Sequence, residues 1–143
     1  MKTETKKGFL YILLLKNKEA FKVGITDNED LIRINNLSRI YEFDLDESFI
    51  VETTKNRTTK SMERQIHADY KMFSYDIEPK ADGHTEFIKF EHLNYILEEI
   101  EFKSRLKHLG VKIKKGINAN NLFKTKVVKP KKRNFTNNKN NRK

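Results

Sequence analysis

The chain contains no cysteine. Disulfides, cysteine-ligated zinc and thiol catalysis are therefore excluded. It has no apolar stretch near the ~20 residues that a membrane-spanning helix needs. Its first residues, MKTETKK, lead into a polar-interrupted strand pattern rather than the apolar core of a signal peptide. No internal repeat is visible. The C-terminal stretch lacks acidic groups altogether: residues 111–143 hold 12 Lys/Arg and no Asp or Glu. These absences predict an intracellular domain without membrane contact, cytoplasmic in a bacterial host; in a eukaryotic host the basic run at 129–133 would also read as a nuclear-import signal.

What is present is a chain of 143 residues, the size of one domain. Hydrophobic residues make up 36% and charged residues 35%, so the core is modest. The formal net charge of +10 is unevenly placed. Residues 1–110 carry 18 Lys/Arg against 20 Asp/Glu, a slight negative excess. Residues 111–143 carry the whole positive balance together with many asparagines. Such a segment buries too little apolar surface to offset its ordering entropy. The expected division is a domain over 1–110 and a mostly disordered basic tail over 111–143, with a short ordered piece near 111–117.

Within the body, residues 9–15 (FLYILLL) form an apolar run of strand length. A polar loop at 16–19 separates it from 20–25 (AFKVGI), where Phe21, Val23 and Ile25 alternate with Lys22 and Gly24. Thr26-x-x-Glu29 reads as a capping box. The helix it opens runs to about Tyr41, with Leu31, Ile34 and Leu37 on one face. Residues 47–53 read as a third strand. Residues 58–73 read as a second helix with Met62, Ile66, Tyr70 and Phe73 inward. Residues 85–90 are strand-like or approach a helix, and 91–109 form a third helix stopped by Gly110. The fold class expected is α+β: a small three-stranded antiparallel sheet with about three helices.

A symmetric four-residue hairpin loop would set Tyr11 opposite Gly24 and Leu13 opposite Lys22. Tyr11, Lys22 and Gly24 would then share one face, with Gly24 leaving room for the Tyr11 ring. Arg33 borders the buried stripe of the first helix. Glu63 and His67 stand i,i+4 on the second. Taken singly, an edge Arg or a Glu–His pair is usually a solvated surface feature.

Taken in order, these residues resemble the GIY-YIG nucleases. Phe9-Leu10-Tyr11 stands at the first triplet and Lys22-Val23-Gly24 at the second, with ten residues between them. Arg33 follows, then Glu63-x-x-x-His67 and Gly83-x-x-Glu86-Phe87. Lys in the second triplet is similar to a phage-associated subgroup. Two departures stand out. The first triplet has no Gly at its first position, and Leu37 stands where many relatives carry a histidine.

The resemblance implies a metal-dependent endonuclease that hydrolyses phosphodiester bonds of DNA. Glu63 would hold one Mg²⁺ or Mn²⁺ ion. Arg33 would fork onto the scissile phosphate. Tyr11 would orient or deprotonate the attacking water. A free phenol titrates near ~10, so Tyr11 serves as base only beside a cation such as Lys22; alternatively Lys22 is itself the base. His67 is left between proton transfer and a structural role. Gly24 is a structural member of the set. His84 and Glu86 are read as structural, rimming the cleft, and His92 and His108 as solvent-facing. Lys129, Lys131, Lys132 and Arg133 are expected to give non-specific nucleic-acid affinity. DNA is the expected partner, with RNA as the alternative. The rival expectation is an inactive nucleic-acid-binding module on the same fold.

Overall fold

In a computed structural model, residues 6–26, 32–81 and 84–117 are described. Strand β1 (Gly8–Leu14) is buried along its whole length. It pairs antiparallel with β2 (Ala20–Thr26) on one side and β3 (Phe49–Thr53) on the other. A strand covered on both faces reads as a continuous apolar run, which is why FLYILLL lacks alternation. The β1–β2 register sets Tyr11 opposite Gly24 and Leu13 opposite Lys22, as the symmetric loop required.

The sheet has five strands, in the order β4-β2-β1-β3-β5, so the expected three-stranded sheet is too small. Strand β4 (Phe87–Lys89) is three residues long, too short for a periodic signal. It pairs with β2 at residues 20–22 only. Strand β5 (Val111–Lys115) pairs with β3 and carries the sheet past residue 110. Its Lys112, Lys114 and Lys115 surround two apolar residues, so composition conceals it. Lysines on an edge strand also discourage pairing with other chains. The proposed tail residues Lys129, Lys131, Lys132 and Arg133 lie outside the described residues, as do Leu31 and Glu29 of the expected first-helix pattern.

Helix α1 (Ile32–Ser38) buries Ile34 and Leu37 against one sheet face, with Tyr41, Phe43 and Phe87. It stops three residues short of Tyr41, whose hydroxyl donates to the Pro79 carbonyl and accepts from the Ala81 amide. Helices α2 (Asn56–Asp69) and α3 (Leu93–Ser104) cover the other face through Met62, Ile66, Ile96 and Ile100. The third helix is shorter than expected. A separate 3-10 turn at Lys107–Leu109 follows it, closed by Gly110 at φ +62° against the Thr54 side chain. His92 is not solvent-facing: its ring stacks on Phe73 with 4.1 Å between centroids. No helix among the described residues is long and apolar enough to cross a membrane.

Candidate active site

The short β4 has a consequence for the site. Beyond Lys22 the outer edge of β2 has no strand beside it among the described residues. Helix α2 passes along that edge, and the His67 Nε2 lies 3.0 Å from the Val23 carbonyl oxygen. A carbonyl only accepts, so Nε2 carries the proton and donates. This anchor brings the Glu63–His67 side of α2 round to the sheet face that holds Tyr11 and Lys22.

On that face Tyr11 and Lys22 are both 0% exposed. Gly24 is what makes room for Tyr11. A Cβ at position 24 would stand 2.4 Å from the Tyr11 hydroxyl and 2.5 Å from its Cζ. The Arg33 Nε–H donates to the Tyr11 hydroxyl oxygen at 2.9 Å. Arg33 is itself an exposed residue, and its Nε–H holds the phenol. Burial raises the Tyr11 pKa, and the Arg33 hydrogen bond and charge only oppose that. The phenol is therefore protonated at neutral pH in this structure.

Lys22 Nζ lies 2.5 Å from Glu86 Oε1. Glu86 ends a 3-10 turn (His84–Glu86) directly before β4, and Lys22 faces Phe87 in the β2–β4 pair. Burial lowers the Lys22 pKa, with the Glu86 bond and charge working the other way. The role of Glu86 was missed in the sequence, where the segment read as structural. The signal was Gly83-x-x-Glu86-Phe87, a part of the nuclease resemblance to which no chemical role was attached. Since charging Lys22 is unfavourable where it sits, the pair is not what holds the fold together. Replacing both partners together, Lys22→Met with Glu86→Gln, should leave the melting temperature within about 3 °C of the parent, or raise it. Thermal melts followed by circular dichroism check this; a large fall would make the ion pair structural.

Glu63, His67 and Glu86 offer ligand atoms that all lie within 4.8 Å of one another. Glu63 Oε2 is 3.7 Å from His67 Nε2. Burial raises the Glu63 pKa first; His67 lowers it, and the Glu86 charge adds to the rise. With Nε2 of His67 donating to a carbonyl, the donors best matched to a cation are the two carboxylates. They are 22% and 30% exposed, reachable from solvent, and they repel one another. A hard divalent cation relieves that repulsion, so this donor set fits Mg²⁺ or Mn²⁺. A cleft of about 460 Å³ opens alongside, lined by His67, Tyr70, Lys71, Ser74 and Glu86 among others.

The structure thus gathers Tyr11, Lys22, Gly24, Arg33, Glu63 and His67 in one region and adds Glu86. Leu37, at the position of the absent histidine, is a core residue. The sequence profile of the T5orf172 domain matches residues 8–103. The chain belongs to the T5orf172 domain family. The family is phage-associated and of endonuclease type, which gives a nuclease-like or nucleic-acid-binding function at that level. The matched range contains every residue of the cluster and ends before β5. No curated protein and no solved structure matches the chain.

Proposed function

We propose that this T5orf172 domain is a metal-dependent endonuclease of GIY-YIG type that hydrolyses DNA phosphodiester bonds. The observation that carries this reading is the Arg33–Tyr11 hydrogen bond placed beside a two-carboxylate donor set. Phosphodiester hydrolysis needs a positioned water, positive charge at the phosphate and help for the leaving oxygen. Arg33 is the exposed cation that would fork onto the phosphate. Its bond to Tyr11 ties the position of the phenol to that of the phosphate. Tyr11, held protonated, orients the attacking water rather than deprotonating it. Lys22, displaced toward its neutral form, is the better-suited group to accept the proton. Glu63, with Glu86 beside it, would hold one Mg²⁺ or Mn²⁺ ion, which supplies charge to a phosphate oxygen. His67 acts through its hold on the Val23 carbonyl, keeping α2 and Glu63 in place.

Supercoiled plasmid should be nicked or linearised by the purified protein with Mg²⁺ or Mn²⁺ and left intact with EDTA. Arg33→Ala should lower the rate by about 10²–10³-fold, the usual effect of losing one stabilising group at a reacting centre. Binding of the protein to plasmid without turnover, under any divalent metal, would select the inactive binding module instead.

A further inference from the structure

The acidic balance of residues 1–110 suggests that the folded body has no hold on nucleic acid. The distribution on α2 is different. Its basic residues Arg57, Lys60 and Arg64 stand at i, i+3 and i+7, on one side of the helix. The core-facing Thr59, Met62 and Ile66 follow the same spacing on the opposite side. Lys60 precedes Glu63 by three positions and Arg64 follows it by one, so the row adjoins the candidate site. All three are exposed.

Two further observations bear on this row. Arg57, Lys60 and Arg64 have no carboxylate within 4.0 Å among the described residues, a state they share with Lys16 and Lys89 but, unlike those, as three neighbours on one helix face. Arg64 acts on Glu63 only at longer range. Moreover, the first turn of α2 contains no acid, and Lys55 stands just before it. The positive end of a helix favours acids, so cations gathered there work against helix stability. An external anion reverses that sign.

We propose that the outer face of α2 is a docking surface for the phosphate backbone of duplex DNA, with Arg57, Lys60 and Arg64 as its contacts. This rests on the endonuclease reading for its partner and orients that partner along α2 past Glu63. Seven residues of helix span about 10 Å. Phosphates of one duplex strand recur every ~3.4 Å along the axis, so the row matches about three of them.

The test is fluorescence anisotropy of a short labelled DNA duplex, titrated at several salt concentrations. The full chain is compared with the triple variant Arg57→Gln/Lys60→Gln/Arg64→Gln. A control, Lys16→Gln/Lys18→Gln/Lys89→Gln, removes equal charge at the far end of the β1–β2 hairpin. Each lost phosphate contact makes the slope of log K against log salt shallower by about 0.9. The α2 variant should lose about 2–3 from that slope and bind roughly 50- to 500-fold more weakly at 0.1 M salt. The control should change by less than about threefold. An α2 variant no weaker than the control overturns the proposal, as does a parent that binds no DNA or prefers an RNA duplex of the same sequence. Plasmid cleavage separates this from the endonuclease reading. A parent that binds with the stated slope change but never cleaves upholds the surface and overturns the hydrolysis.

Discussion

Glu63→Gln is expected to abolish metal-dependent cleavage and, at the same time, to stabilise the fold at neutral pH. The first effect follows from removing a carboxylate from the two-carboxylate donor set. A loss of at least about 10³-fold in rate is expected when both the cation and its charge are lost from the reacting centre. The second follows from the direction of the Glu63 shift, which is upward, chiefly from burial and then from the Glu86 charge. A carboxyl whose folded value is raised holds its proton more tightly folded than unfolded. That contribution is fully present below the unfolded value and is lost as pH rises through the folded one. Ionised Glu63 therefore weakens the fold at pH 7, and the neutral amide does not. A rise of about 2 °C in melting temperature is the expected scale. The difference between variant and parent should vanish below about pH 4, where both side chains are neutral. A variant less stable than the parent at pH 7 would make Glu63 a structural residue. Such trade-offs between stability and activity are typical of functional sites.

Gly24→Ala should be strongly damaging, although it adds only one methyl group to the hairpin. The added methyl would meet the Tyr11 ring at 2.4–2.6 Å, at Oη, Cζ and Cε1 alike. Tyr11 is 0% exposed and has nowhere to retreat. Overpacking of this kind costs about 1–3 kcal/mol. Any retreat of the ring also strains the hydroxyl's bond to Arg33, so cleavage should fall by about 10²-fold. Combining the change with Tyr11→Ala supplies the decisive measurement. If the clash is with that ring, the Gly24→Ala penalty in urea unfolding should shrink to a few tenths of a kcal/mol in the Tyr11→Ala background. An undiminished penalty would place the conflict elsewhere.

Residues whose placement is set by pairing within a hairpin were legible in the sequence. A four-residue polar loop fixes the register, and the register alone puts Tyr11, Lys22 and Gly24 on one face. Arg33, Glu63 and His67 were legible from helical spacing and resemblance to a nuclease pattern. What sequence could not give was the partner of Lys22. Glu86 is 64 positions away, in a 3-10 turn with no periodicity. The ordered piece expected near 111–117 is present, but that it forms strand β5 was obscured for another reason. Its pairing with β3 depends on non-local contacts that a lysine-rich composition does not advertise. The placement of α2 across the open edge of β2 likewise depends on how short β4 is, a fact of tertiary structure.

The position of Glu86, just before the short β4, bears on when the cluster can form. The cluster draws on β1, β2, α1, α2 and the turn before β4, so no contiguous fragment carries it. Contacts of such sequence separation form late, after loop closure has been overcome. A nascent chain released before Glu86 would hold Lys22 without its carboxylate and the donor set without its second oxygen ligand. The complete cluster and the completed tertiary structure therefore arrive together, and a fragment that stops short of Glu86 carries only part of it.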